Sequence, residues 1–224
     1  MIPFKDDNPT SIFPFVTIAI IAANILVFLL QVTSHSGMRG VAYSYGAIPH
    51  YLLTFESKQP IPPVMTLFSS MFMHGGMFHL AGNMLYLWIF GNNIEDSLGH
   101  VKFIIFYLFC GVAAAYGHTL ANPESMTPMI GASGAVSGIL GAYLLLFPRA
   151  NVHTLLFFGF FFTTVRIPAL IVIVFWAIIQ FINGILSSGP NGGGGVAWFA
   201  HIGGFLVGIA TIKLLLPRRN RQWL

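Results

Sequence analysis

Four polar side chains in this apolar sequence are candidates for chemistry, and one of them, a serine at a helix entry, would form half of an acyl-transfer site beside free backbone amides. Ser133 stands in Gly131-Ala132-Ser133-Gly134, His201 in Ala200-His201-Ile202-Gly203-Gly204, and His79 and Asn83 close the run His79-Leu80-Ala81-Gly82-Asn83. A serine hydroxyl is a weak nucleophile until a neighbouring base takes its proton, and histidine is the commonest base. His79 and Asn83, at i and i+4, share one helix face. His201, Gly204 and Gly208 form one stripe at i, i+3 and i+7, and Ser133, Ser137 and Gly141 form a second narrow face. Gly134 and Gly138 add a small-x-x-x-small pair, so the two stripes can bring two helix backbones close together. If they meet, His201 approaches Ser133. At a helix start the first backbone N–H groups lack partners and favour negative charge, so Ser133 there would sit beside free donors. Each feature also has a plainer reading: a polar pair satisfying itself, a helix-packing motif, a histidine bonded to a backbone carbonyl.

Other chemistries lack their residues. The six acids are Asp6, Asp7, Glu56, Glu95, Asp96 and Glu124, all at a terminus, in a loop or at the end of an apolar run. A Ser-His-Asp triad therefore lacks its third member, and a proton-coupled transporter lacks a carboxylate near the membrane midplane. His-Glu-x-x-His is missing, which disfavours a zincin-type protease. The lone cysteine, Cys110, matches no metal pattern, and no metal or cofactor is expected.

The elements that must position these residues follow from composition. Of 224 residues, 56% are hydrophobic and 7% are charged. So few charges cannot cover a soluble globule, and so apolar a chain is not disordered. The net charge of +4 forms no basic helix or patch outside a short C-terminal tail, so no nucleic-acid partner is expected. The fold class expected is an all-α membrane protein. Six apolar runs fit a bilayer: Ile12 to Val32, Gly76 to Ile94, Val101 to Leu120, Ser133 to Phe147, Pro168 to Leu186 and Val196 to Leu216. Backbone polar groups in lipid must be satisfied within the segment, so these are read as helices. The first is longer than the apolar core of a secretory leader and is read as a retained span. One domain covers 1–224, with short tails at 1–11 and 217–224.

The connections are unequal. His35 to Gly75 is too apolar for a solvated linker and is expected to form short amphipathic pieces in the membrane interface. The apolar stretch Leu155 to Thr164 is expected to lie there as well. Ser187 to Gly195 carries four consecutive glycines and is a candidate mobile lid. With six spans, Lys5, Lys102, Arg149, Arg166, Lys213, Arg218, Arg219 and Arg221 share one side, and Arg39 and Lys58 the other. The basic side is expected to be cytoplasmic, with both termini there. Arg218, Arg219 and Arg221 are expected to meet anionic headgroups. His79, Ser133 and His201 then all fall within roughly 10 Å of the outer membrane face at 1.5 Å per residue. That common depth favours one shared site over three unrelated features. His74, just before the second span, is expected to face water.

Taken together, the sequence resembles the rhomboid family of intramembrane serine proteases over nearly its whole length. The motifs are Met73-His74, His79-x-x-x-Asn83, Leu87-Trp88-Ile89-Phe90-Gly91, Gly131-Ala132-Ser133-Gly134 and Ala200-His201-Ile202-Gly203-Gly204, in family order on the right spans. Pro148-Arg149 and Ile167-Pro168-Ala169 look like bacterial members. The resemblance implies a six-helix bundle with a shortened fourth helix ending at a wet cavity, and a Ser-His dyad of Ser133 (nucleophile) and His201 (general base). His79, Asn83 and the Ser133 backbone N–H would hold the oxyanion. It also implies a fifth span acting as lateral gate, single-span membrane proteins as substrates, and a bacterial inner membrane as location. Ser137 stands where some members carry an aromatic stacked on the catalytic histidine, so no residue is assigned to orient the His201 ring, and the first loop lacks the Trp-Arg pair of some bacterial members. Two other readings remain: an inactive relative that binds membrane helices, and a small channel or transporter with His74, His79, His118 and His201 along a path.

Overall fold

A computed structural model describes residues 2–159, 161–187 and 196–216. The glycine-rich stretch 188–195, expected as a lid, and the basic tail 217–224 lie outside the described residues. The body is helical. Four helices are long and apolar enough to cross a membrane: α1 (Phe15–Thr33), α7 (His100–Ala121), α9 (Ala169–Ser187) and α10 (Trp198–Leu215). Two further apolar runs are helical but segmented or short. The run from Met77 to Leu98 is built as α5 (Met77–Tyr86), a π-helical turn (Leu87–Gly91) and α6 (Asn92–Leu98), while α8 (Ser133–Leu146) has 14 residues.

The long first connection folds as short helices, α2 (Gly37–Tyr45), α3 (Pro49–Thr54) and α4 (Pro63–Ser69), followed by a tight turn at Ser70–Phe72. Prolines at the first positions of α3 and α4 start them without losing a needed N–H.

A small antiparallel sheet was not expected. It orders β1 (Ile2–Asp6), β2 (Asn151–Phe158) and β3 (Phe161–Pro168) in sequence, with β2 and β3 forming a hairpin. Residues 2–6, read as part of a short tail, are therefore an edge strand, and Leu155 to Thr164 lies within the hairpin. Thr, Val, Ile and Phe alternate or cluster there, a composition that suits strands, and Gly159 with its φ of +62° makes the bend.

The core sits around α8, which is buried from Gly134 to Tyr143 among α7, α10 and the π-helical turn. Lipid supplies no hydrophobic drive between spanning helices, so close backbone packing must hold them. The glycines provide it. A Cβ on Gly204 would overlap the Gly134 carbonyl oxygen, and one on Gly208 would overlap that of Gly138. On the other side, a Cβ on Gly134 would come within 2.6 Å of the Ala114 methyl, and one on Gly138 within 2.5 Å of Cys110. Thus α8 is pinned between α7 and α10 at backbone distance.

At the opposite end from Ser133, two acids of α6 hold the start of α1. Pro14 occupies the N-cap position of α1 and makes no side-chain cap. Instead Glu95, fully buried, accepts from the N–H of Val16 at 2.9 Å, the N–H of Thr17 at 2.8 Å and the Thr17 hydroxyl at 2.6 Å. Asp96 accepts from the N–H groups of Ser11 and Ile12. Glu95 thereby satisfies helix-start donors and complements the dipole, while Asp96 ties down the segment that leads into the helix. Asp6 of β1 accepts from Tyr143 of α8 and Asn93 of α6, and burial raises its carboxyl pKa above the ordinary value.

Candidate active site

Ser133 is the first residue of α8, where the first turn of N–H groups has no intrahelical partner. Gly131 delivers the chain to it with φ of +130°, a conformation that L side chains rarely adopt, and its N–H is held by the Ser70 carbonyl at 2.9 Å. A Cβ at Gly131 would also lie 2.8 Å from Nε2 of His79, so glycine is required there for space as well.

His201 lies in the first turn of α10, one turn before Gly204. Because Gly204 abuts Gly134, the two helices are close enough for the side chains above them to meet. Nε2 of His201 is 2.8 Å from Oγ of Ser133, across 68 residues of chain. His79 and Asn83 sit on α5 on the far side of the serine, and the four line one cavity of about 670 Å³. His79 does not bond Asn83. Its Nδ1 accepts from the Gly75 N–H at 3.3 Å. Asn83 is buried, and its Nδ2 has no hydrogen-bond partner among the described residues. An orphaned buried amide costs roughly 1–3 kcal/mol, and here it borders the same space as the serine hydroxyl.

Ser137 does not stack on His201. Its hydroxyl turns back to the Ser133 carbonyl at 2.6 Å. The imidazole is instead held by α9. Nδ1 of His201 lies 2.8 Å from Oε1 of Gln180, Trp176 lies 6.2 Å away between ring centroids, and Trp198 meets the ring edge-on at 5.9 Å. Sequence reasoning missed Gln180 and Trp176. The signal was available, since Gln180 is a polar side chain in the middle of an apolar span.

His74 does not face water. Its ring is fully buried and meets His79 edge-on at 5.1 Å. Gln31 of α1 fixes it by clamping its peptide group, Oε1 accepting the His74 N–H at 2.9 Å and Nε2 donating to the His74 carbonyl at 3.3 Å. Burial, and secondarily the neighbouring His79, pushes the His74 imidazole down to about 4. A second cavity of about 720 Å³, lined by His74, His79, His118, Asn122 and Arg39, adjoins the first at His79. Its histidines and the other ligand types form no group of three able to hold a metal among the described residues.

Fold and pocket together define a multi-pass helical membrane protein with a serine hydrogen-bonded to a histidine between packed helices. Residues 62–218 match the Rhomboid domain, and the chain belongs to the rhomboid family. It is 27% identical over 234 residues to RHOMBOID-like protein 1 of Arabidopsis thaliana, covering 92% of this chain and 55% of that protein. It is 30% identical over 142 residues to Rhomboid protease GluP of Bacillus subtilis, covering 63% of this chain and 25% of that protein. To the human Presenilin-associated rhomboid-like protein, mitochondrial, it is 28% identical over 148 residues, covering 64% and 36%. The chain thus spans about half the length, or less, of these curated relatives.

Proposed function

We propose that this protein is an intramembrane serine endopeptidase that cleaves transmembrane or membrane-proximal segments of single-span membrane proteins. The observation that carries the reading is the 2.8 Å bond between Ser133 Oγ and His201 Nε2 inside a cavity bordered by an unpartnered Asn83 amide. His201 takes the Ser133 proton as the hydroxyl attacks the peptide carbonyl, and later returns it to the leaving amine. The oxyanion is held by the Asn83 Nδ2, by His79 and by the Ser133 N–H at the start of α8. Water then attacks the acyl-enzyme carbonyl, drawn from the polar cavity that adjoins at His79. A substrate helix must unwind to enter so narrow a site, which favours helix-weakening Gly or Pro near the cut.

The proposed setting is six membrane crossings. In addition to the four long helices, the Met77–Leu98 run and the 14-residue α8 complete them, with α8 starting at the cavity rather than at the membrane face. The excess of Lys and Arg supports cytoplasmic termini and an extracytoplasmic active site. The motifs like those of bacterial members support a bacterial inner membrane.

The test is labelling with a fluorophosphonate and cleavage of a single-span substrate by the full chain in detergent, alongside Ser133→Ala and His201→Ala. Labelling and cleavage by the wild type alone support the reading. Cleavage indifferent to Ser133 overturns it, and folded wild type that neither labels nor cleaves yet retains membrane helices supports an inactive binder.

A further inference from the structure

We propose that Gln180 is a positioning residue that holds His201 in the tautomer with its proton on Nδ1, so that the Nε2 lone pair faces Ser133. The inference rests on the Ser133–His201 reading and names what prepares its base. A neutral imidazole has one N–H and one lone pair, and only the form with a bare Nε2 can accept the serine proton. In a serine protease triad a carboxylate on Nδ1 selects that form. Among the described residues no acid is hydrogen-bonded to His201, and the place is taken by an amide.

An amide offers both a donor and an acceptor, so its orientation decides which tautomer it selects. Here α9 decides it. Nε2 of Gln180 donates to the Trp176 carbonyl one turn earlier at 3.2 Å, which directs Oε1 to His201 Nδ1 at 2.8 Å. Reversing the amide would set its oxygen against the Trp176 carbonyl oxygen and lose that bond. With Oε1 fixed as an acceptor, Nδ1 must carry the proton, since two lone pairs would otherwise oppose each other. Gln180 is 7% exposed, so water does not compete freely for either bond. Trp176 and Trp198 limit ring rotation from the sides. The polar atom on α9 therefore supplies the orientation that neither Ser137 nor an aspartate provides.

The test uses the full chain in detergent with 15N-labelled histidine, as wild type, Gln180→Met and Gln180→Glu, with His201 assigned from the signals missing in His201→Asn. Methionine keeps the length of glutamine without its oxygen, whereas a protonated glutamate carboxyl donates its O–H to the Trp176 carbonyl and accepts from Nδ1–H with its other oxygen, as the amide does. In the wild type the expected spectrum has a protonated Nδ1 and a bare Nε2. Gln180→Met is expected to mix the tautomers and lower kcat by about tenfold or more with KM within about twofold. Gln180→Glu is expected to restore the single tautomer and most of the kcat. A wild-type His201 protonated on Nε2 overturns the proposal even if no variant folds. So does a Gln180→Met protein that keeps the wild-type tautomer and kcat, or a Gln180→Glu protein no better than Gln180→Met. Because the spectrum needs no turnover, a wild type with the expected tautomer but no fluorophosphonate labelling would count against the protease reading and not against the positioning role.

Discussion

Gly204 of α10 lies so close to Gly134 of α8 that a methyl group on Gly204 would overlap the Gly134 carbonyl oxygen. Ser133 is the neighbour of one glycine and His201 lies one turn before the other, so the hydroxyl–imidazole bond depends on this backbone contact. Gly204→Val must push the helices apart. It is expected to abolish fluorophosphonate labelling and to lower stability by about 1–3 kcal/mol, the usual cost of overpacking. Gly117→Ala is the control. Its new methyl would meet Gly203 Cα at 3.5 Å, an ordinary contact, and labelling and Tm should stay near wild type. Labelling of Gly204→Val at the wild-type rate would show that the contact does not set the site.

The small-residue stripes made this contact legible in sequence, because Gly134, Gly138, Gly204 and Gly208 repeat at helical spacing and small size has one obvious use between spanning helices. The helical body was legible for the same reason that hydropathy is informative in lipid, where backbone groups must be satisfied locally. The sheet was not. Leu155 to Thr164 reads as apolar and β-branched, and such a run fits an interfacial segment as well as a strand, since pairing with Ile2–Asp6 is a contact across the whole chain. His74 was misplaced because its backbone is fixed by Gln31, 43 residues away, a contact the local sequence does not reveal. Gln180 went unassigned because a polar residue in a span signals a partner without naming which.

Asn83 makes a sharp kinetic prediction. Its Nδ2 is buried with no partner among the described residues, and on the proposed mechanism it bonds the oxyanion rather than the resting substrate. An interaction absent from the ground state changes kcat and not KM. Asn83→Ala is expected to lower kcat on a single-span substrate by about 10²–10³ with KM little changed. A rise in KM at constant kcat would place the amide in ground-state binding instead.

Glu95 is a stability element remote from the serine. Three donors from Val16 and Thr17 converge on its buried carboxylate, and His100 Nδ1 lies 2.6 Å from Oε1. Glu95→Ala strands these donors at the start of a helix whose N-cap is proline. The expected loss is several kcal/mol, since each buried donor left without its acceptor costs about 1–3 kcal/mol. It should appear as a lower Tm, with kcat of the folded fraction preserved. A Tm near that of wild type would mean that the start of α1 is held by other contacts.

His74 predicts how stability responds to acid. Its pKa falls from 6.5 to about 4 on folding, with burial the main cause. Between those values the unfolded chain binds a proton that the folded one does not. The stability associated with the neutral ring is therefore fully present above 6.5 and is lost as pH falls toward 4. By pH 5 the loss is about 2 kcal/mol relative to pH 7.5. The carboxyl of Asp6, raised by burial, pulls the other way, so the His74 contribution is isolated by difference. Thermal unfolding of wild type and His74→Gln at pH 7.5 and pH 5 should show the wild type losing more stability than the variant. Equal losses would mean that the buried His74 ring does not carry this acid sensitivity.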